Sequence, residues 1–174
     1  MLLIAAPREV HGEDSTNVAA RGANETTRVE LPFDARAGLM KAGKLCLPSG
    51  VLRVSDFVSS DRELRAITEQ AIRENPNASK YSEQSNVEIK LTAIDASLCA
   101  KSYGMFGLGD RRSLSGRTTF KFMWRTAGAA SGAWNEKTVD LKFDGKNPRR
   151  LEDLVPEAVN AVVQDAAASQ LTVG

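Results

Sequence analysis

The clearest structural signal in the chain lies in residues 117–144, which read RTTFKFMWRTAGAASGAWNEKTVDLKFD. In both halves, apolar residues alternate with polar ones, which is typical of a strand with one buried face. The alternating apolar residues are Phe120, Phe122, Trp124, Val139, Leu141 and Phe143. Residues 127–133, AGAASGA, separate the halves and have the composition of a loop. The stretch therefore predicts an antiparallel β-hairpin.

The register of this hairpin is predicted from its apolar face, because residues paired across two strands must both point inward or both outward. Pairing Phe122 with Val139, and Phe120 with Leu141, turns these four side chains towards the helices. Three opposite-charge pairs then follow on the outer face: Lys121–Asp140, Arg125–Glu136 and Arg117–Asp144. Such pairs are worth about 0.2–1 kcal/mol each.

The surrounding charge could indicate a nucleic-acid surface. Residues 110–150 carry ten basic and four acidic side chains, so their net charge is +6. Because the predicted register gives three of the basic residues an acidic neighbour, we interpret the excess as a solvated sheet face. We therefore expect no nucleic-acid partner.

A strand and a helix are predicted before the hairpin. Residues 51–58 favour an extended chain. Ser60 and Glu63 then form an S-x-x-E capping-box pattern, and Asn75-Pro76 ends the helix. The apolar stripe of this helix is Leu64, Ile67 and Ala71.

A second strand begins at Val87, and its apolar phase changes near Ala93 and Ile94, where we expect a β-bulge. The C-terminal helix begins around Pro156, a residue that suits a first helical turn. Its apolar stripe is Val159, Val162, Val163, Ala166 and Ala167.

These elements predict an α+β fold, a two-layer sandwich of a four-stranded sheet in the order β-α-β-β-β-α with two helices on one face. Residues 1–30 are polar for most of their length and lack periodicity, so we interpret them as a flexible N-terminal arm. Residues 31–174 form a single α+β domain, in which residues 31–50 wrap the domain irregularly.

Composition restricts the class of protein. The chain has 174 residues and a net charge of +1, which provides no global attraction to nucleic acid or anionic membrane. No apolar run approaches the length of a membrane span, so we expect none. Met1 to Ala6 resemble the end of a signal peptide, and a frayed cytosolic N-terminus is the alternative.

The two cysteines, Cys46 and Cys99, weakly favour an oxidising compartment. Whether they form a disulfide stays open. If the strands flanking the first helix are parallel neighbours, the cysteines lie at opposite ends of the sheet.

No catalytic residue, metal ligand or cofactor is expected. The only histidine is His11, in the arm, which argues against a histidine-dependent nucleophile and against a zinc site. Carboxylates alone could do acid–base work, but most lie at helix ends or faces, and Asp95 is interpreted as an outward strand residue. The carboxylates considered are Asp56, Asp61, Glu63, Glu69 and Glu74.

Residues 103–116 are predicted to form a glycine-rich loop. Gly107-x-Gly109 is followed by Arg112 where a dinucleotide-binding motif requires glycine, so an anion site there has little support. The loop also contains apolar side chains that could contact a partner. The candidate partner-binding residues are Met105, Phe106, Leu108, Arg111 and Arg112.

The order of elements, with Leu114-Ser115-Gly116 entering a strand that ends in Trp124, resembles small accessory proteins of the Gram-negative envelope. The lipopolysaccharide-assembly lipoproteins and related periplasmic α/β sandwiches are the families in question. The resemblance covers roughly residues 50–171 at the level of architecture. The chain lacks a lipid-attachment cysteine, and the resemblance assigns no functional residue.

The favoured hypothesis is a non-enzymatic periplasmic or secreted accessory protein that binds or scaffolds another protein. The alternative is a small cytoplasmic module that binds an anionic ligand at the loop of residues 103–116. An enzyme that uses carboxylates alone ranks last.

Overall fold

A computed structural model describes residues 27–76, 87–103, 111–126, 133–144 and 149–171. The strands are β1 (Thr27–Val29), β2 (Arg36–Ala42), β3 (Leu47–Arg53), β4 (Val87–Tyr103), β5 (Arg111–Thr126) and β6 (Asn135–Phe143). The helices are α1 (Asp61–Glu74) and α2 (Leu154–Leu171), and short 3-10 turns precede them at Val54–Asp56 and Leu151–Asp153. Neither helix in this part of the chain is long and apolar enough to cross a membrane.

All six strands belong to one mixed sheet, in which five follow the order β3-β2-β4-β5-β6 and β1 pairs with β4 outside this order. β1 and β2 both run parallel to β4 along the same edge, β1 beside its first half and β2 beside its second half. The remaining pairs are antiparallel. The prediction of a four-stranded sheet was therefore wrong, because three strands precede α1 where the sequence predicted one.

The missed strands β1 and β2, and the first residues of β3, lie in residues 27–50, which the sequence assigned partly to the flexible arm and partly to an irregular segment. The predicted strand of residues 51–58 overlaps β3 only at residues 51–53. The misleading residues are Pro32, Gly38, Gly43, Pro48 and Gly50. In the structure, Pro32 lies in a loop, Gly38 lies at a register shift and Gly43 lies in a turn, while Pro48 and Gly50 belong to the edge strand β3. These are the positions where a sheet tolerates proline and glycine. Their presence alone therefore did not exclude a sheet. Residues 1–26, the rest of the predicted arm, lie outside the described residues.

β1 and β2 together resemble one strand with an interruption. Between Val29 and Gly38 the chain advances nine residues, while β4 advances five from Leu91 to Ala96, so four extra residues loop away from the sheet edge. This loop is hydrogen-bonded to the residue that follows β3, because the amide of Val54 donates to the carbonyl of Ala35 at 3.0 Å.

Gly38 and Gly116 allow β2 and β5 to approach β4 closely from its two sides. Their φ angles are +150° and +133°. A Cβ on Gly38 would lie 1.9 Å from the carbonyl oxygen of Ala96, and a Cβ on Gly116 would lie 2.1 Å from that of Ser97. Because these oxygens belong to a paired central strand, any side chain here would force the strands apart.

Both helices pack on one face of the sheet and contact each other. The Ser60 side chain caps α1 by accepting from the amide of Glu63 at 3.2 Å, as the sequence predicted. The predicted apolar stripe of α2 is also confirmed, since its members are 5% exposed or less. At the far edge of this face, Lys137 of β6 forms an ion pair with Asp165 of α2 at 2.6 Å.

The predicted bulge in β4 is present one residue earlier than expected. The β4–β5 register shifts between Leu91 and Ala93, which leaves Thr92 as the extra residue. Its hydroxyl donates to the carbonyl of Lys121 at 3.0 Å. Asp95 is exposed beyond the bulge, as predicted.

The β5–β6 hairpin has the predicted faces but not the predicted register. Phe120 pairs with Val139, and Phe122 pairs with Lys137, a shift of two residues. Since the side-chain period of a strand is two, this shift leaves each side chain on its predicted face. Alternation therefore predicts the faces and cannot distinguish registers that differ by two.

The predicted ladder of charge pairs was wrong for the same reason. The pairs formed on that face instead include Lys121–Thr138, Arg117–Lys142 and Met123–Glu136. Arg117 contacts Asp140 diagonally at 3.0 Å, and Arg125 forms an ion pair with Glu88 of β4. Hydrogen bonds from Thr119 and from Arg117 hold the pKa of Asp140 below its ordinary value. The absence of a nucleic-acid partner stays a prediction, now with different acidic neighbours for Arg117 and Arg125.

Cys46 and Cys99 form a disulfide, with 5.4 Å between their Cα atoms. The expectation that they lie at opposite ends of the sheet was wrong, because the parallel neighbour of β4 at this point is β2. The register pairs Ala42 with Ala100, so the turn after β2 lies beside Cys99.

Substitution of Phe122 should destabilise the protein far more than substitution of its neighbour Lys121. Phe122 is 1% exposed, whereas Lys121 is exposed on the opposite face. We expect Phe122→Ala to lower the free energy of unfolding by about 3–5 kcal/mol, and Lys121→Ala by less than about 1 kcal/mol. Urea denaturation followed by circular dichroism measures both, and comparable losses would contradict the assignment of faces.

The disulfide should be detectable chemically and should contribute to stability. Unfolded, unreduced protein is expected to show no reactive thiol. The bridge links residues 53 apart in sequence, and closing a loop of that size constrains the unfolded chain by about 4 kcal/mol. Cys46→Ser/Cys99→Ser should lose stability on that scale in urea denaturation. Two reactive thiols in the unreduced protein would exclude the bridge.

Candidate interaction surface

β2, β3 and their turn form a ribbon, residues 36–53, at one edge of the sheet. β3 is the edge strand, and Leu52 is the only one of its residues that is buried. The helices therefore leave most of this strand uncovered. The ribbon presents an outer face, directed away from the helices, and a turn at its end.

The outer face of the ribbon carries an apolar pair beside a cavity. Leu39 pairs with Val51 of β3 and with Ser97 of β4, so the three share a face. Val51 is 53% exposed. A cavity of about 400 Å³ opens beside Leu39, lined by residues 36–39 of β2 and 94–97 of β4. We refer to Leu39, Val51 and this cavity as the outer-face patch.

The cavity lies where the chain loops away between β1 and β2. Arg36 and Asp95, both exposed, supply opposite charges to its lining. Its volume is within the range of small-molecule pockets, and it is large enough to admit a side chain. An apolar centre beside such a pocket is the arrangement in which protein interfaces place their strongest contacts.

The turn and its flanking residues form a second exposed feature, which we call the ribbon tip, residues 41–47. Leu45 is 81% exposed and Leu47 is 61% exposed. With Val51, they are the large apolar side chains that are exposed in the described part of the chain. Two exposed leucines near one turn form an apolar surface whose contact with water is energetically unfavourable.

The ribbon is also uniformly basic. Its charged residues are Arg36, Lys41, Lys44 and Arg53, and residues 36–53 contain no aspartate or glutamate. Arg53 donates to the backbone carbonyl of Asp34 at 2.9 Å. Within the described ranges, Arg36, Lys41 and Lys44 form no ion pair. A chain with a net charge of +1 therefore concentrates four positive charges in one ribbon.

The tip is fixed to the body of the domain. The disulfide joins Cys46 to β4, and the amide of Gly43 donates to the carbonyl of Ala100 at 3.1 Å. The amide of Cys46 closes the turn by donating to the carbonyl of Gly43 at 3.2 Å. A surface held in this way loses little conformational entropy when it binds.

The free edge of β3 is poorly suited to pairing with a further strand. The β2–β3 register shifts between Met40 and Lys41, which leaves Ser49 as an extra residue. Pro48 lies next to this irregularity and lacks an amide hydrogen. Both features are known protections of edge strands. The ribbon is therefore suited to binding through its face and its tip.

The partner-binding residues predicted from sequence are only partly described. Met105, Phe106 and Leu108 lie outside the described residues, and the backbone of Arg111 and Arg112 belongs to β5. The prediction of a loop over residues 103–116 was wrong at both ends. Tyr103 is the last residue of β4 and pairs with Arg111, and residues 111–116 belong to β5. A partner contact or an anion site in residues 104–110 stays a prediction.

A cluster of side chains around Trp134 connects neighbouring strands on the outer face of the sheet. Lys90 and Arg125 lie 4.2 and 4.6 Å from the centre of the Trp134 ring. Arg125 also forms its ion pair with Glu88. These contacts join β4 and β5 to the residue that precedes β6, so we interpret the cluster as structural.

Glu30 extends the same network to β1. Lys90 contacts its carboxylate at 2.9 Å, and Arg28 contacts it at 2.7 Å. Hydrogen bonds from Lys90 and then Arg28 hold the pKa of Glu30 below its ordinary value. The carboxylate thus stays ionised beside Lys90 of β4.

Four of the five helix-associated carboxylates considered as acid–base candidates have structural partners. Asp61 accepts from the amide of Val29 at 2.7 Å, and Asp56 accepts from the amide of Arg53 at 2.8 Å. Glu63 accepts from the amide of Ser59 at 2.6 Å, and Glu74 accepts from Gln70 at 2.8 Å. The described residues contain no group of three or more side chains that could hold a metal ion.

No protein-family model matches the chain, and no match was found among curated proteins or among solved structures.

Proposed function

We propose that the protein works outside the cytoplasm, in the periplasm or as a secreted protein, as a non-enzymatic accessory protein that binds another protein. The outer-face patch is the binding surface. The observation that carries this proposal is the disulfide between Cys46 and Cys99, which holds the ribbon against the body of the domain.

The disulfide supports the compartment. Cytosolic glutathione and thioredoxin keep most thiols reduced, whereas secreted and periplasmic proteins retain their bridges. Here the bridge joins the turn after β2 to the central strand, and Cys99 is only 5% exposed. An oxidising compartment therefore keeps the disulfide formed, and the disulfide holds the ribbon.

The outer-face patch supports a protein partner. Burying an exposed valine or leucine contributes about 1.5–3 kcal/mol, and the cavity next to Leu39 gives a partner side chain a place to anchor. Arg36 and Asp95 can orient a partner that presents the complementary charges. The position of the patch on strands of the sheet keeps it preorganised.

The non-enzymatic part of the proposal is supported by how the carboxylates are used. Asp56, Asp61 and Glu63 accept backbone amides at strand and helix ends. Those contacts account for their positions without any role in catalysis. An accessory role needs only the surface and the stability that these contacts provide.

Site-specific photocrosslinking in the native host tests the proposal. A photoreactive residue at position 51 should give one discrete protein adduct, identifiable by mass spectrometry, because Val51 is the exposed apolar side chain of the patch. Thr138 is the matched control, since it is a β-branched, exposed residue of β6, the strand at the opposite edge of the sheet. We expect no discrete adduct from position 138.

A charge substitution makes the crosslinking test specific to the patch. Asp95→Lys should lower the yield of the adduct from position 51, because Asp95 lines the cavity. No discrete adduct from position 51, or equal adducts from positions 51 and 138, would contradict the proposal.

A further inference from the structure

We propose that the ribbon tip docks on an anionic lipid surface, with Leu45 and Leu47 entering the interface and Lys41 and Lys44 contacting headgroup phosphates. This inference goes beyond the proposed function, because the tip and the outer-face patch are different surfaces of the ribbon. It would place the accessory protein, and whatever it binds, at a membrane surface.

The apolar component comes from the exposed leucines. Leu45 and Leu47, at 81% and 61% exposure, are the two most exposed large apolar side chains in the described part of the chain. They flank Cys46 at the point where the ribbon ends. Proteins that bind membrane interfaces insert such side chains a short distance into the boundary between headgroups and acyl chains.

The electrostatic component comes from Lys41 and Lys44 of the tip, because Arg36 and Arg53 pair with each other at the opposite end of the ribbon. Residues 36–53 contain four basic side chains and no acidic one, and Lys41 and Lys44 form no ion pair within the described ranges. Basic residues beside a membrane are attracted by anionic lipids over a distance of about one Debye length, about 10 Å at 0.1 M salt. Charge and apolar exposure therefore coincide at the same tip.

The topology places further basic residues at this end of the sheet. β2 and β4 are parallel, so the turn after β2 and the end of β4 lie on the same side of the molecule. In the β4–β5 register, Ser102 pairs with Arg112 and Tyr103 pairs with Arg111. The backbones of two arginines thus belong to the end of the sheet that carries the tip.

The same features favour a lipid surface over a protein strand as the occupant. Strand addition would need a regular free edge, and β3 has a register shift and Pro48 there. A fluid anionic surface needs no shape complementarity, only an exposed apolar tip with cations beside it. The disulfide keeps that tip rigid, so docking does not require the tip to fold.

Vesicle cosedimentation of the intact chain tests the inference. The probes are vesicles of phosphatidylcholine alone and vesicles of equimolar phosphatidylglycerol and phosphatidylcholine. We expect binding to the anionic vesicles only, and weaker binding as salt rises from about 0.05 M to about 0.5 M. Leu45→Ser/Leu47→Ser should reduce the binding constant about tenfold or more, and Lys41→Gln/Lys44→Gln should also reduce it.

The matched control is Lys121→Gln/Lys142→Gln, which removes the same charge from exposed positions on the outer face of β5 and β6. This variant should retain binding. Thermal denaturation should show that all variants remain folded, because every substituted side chain is at least partly exposed. Equal losses in the two lysine variants would indicate attraction by net charge alone and would overturn docking through the tip.

Two further outcomes would overturn the inference. One is equal binding of the wild-type chain and the leucine variant, and the other is no binding to anionic vesicles. A discrete protein adduct from a photoreactive residue at position 45, without vesicle binding, would assign the tip to a protein instead. Because the adduct from position 51 is measured separately, failure of membrane docking is distinguishable from failure of the proposed function.

Discussion

The parallel pairing of β2 with β4 is the constraint on which the rest of the molecule depends. It requires two backbones to approach at Gly38, where any Cβ would collide with the carbonyl oxygen of Ala96. From that contact the register brings Ala42 beside Ala100, which in turn brings Cys46 to Cys99. The position of the ribbon, its disulfide and both candidate surfaces therefore follow from one close approach between two strands.

The length of β4 gives the sheet two halves with different neighbours. Its first half lies between β1 and the aromatic part of β5, under the two helices, and contains Ile89 and Leu91 without measurable exposure. Its second half supports the ribbon, where the helices leave β3 exposed. Leu98 in the second half is also fully buried on the helix side, so apolar exposure there is confined to the outer face and to the ribbon.

Sequence reasoning predicted the elements whose apolar periodicity is regular. The stripe of α2 and the faces of β5 and β6 were predicted correctly because burial imposes a period on each of them. The α1 cap at Ser60 was predicted correctly from its S-x-x-E motif. The bulge at Thr92 was found because it breaks such a period. The two-residue error in the hairpin register arose because the pattern repeats every two residues.

Most of the ribbon was missed because Ala37 and Leu52 are the only buried residues in it, which is too few to impose a period on its sequence. Pro48 and Gly50 lie in an edge strand, where they signal protection of the edge instead of a loop. The charge pattern of residues 36–53 was visible in the sequence, with four basic residues and no acidic one. This charge pattern can be interpreted only once the segment is known to form one disulfide-linked ribbon. The pairing of β2 with β4, which the sequence did not predict, establishes that ribbon. The two surfaces have the same origin: the ribbon can keep Leu45 and Val51 exposed because strand pairing with β4 and the disulfide hold it in place, with little help from burial.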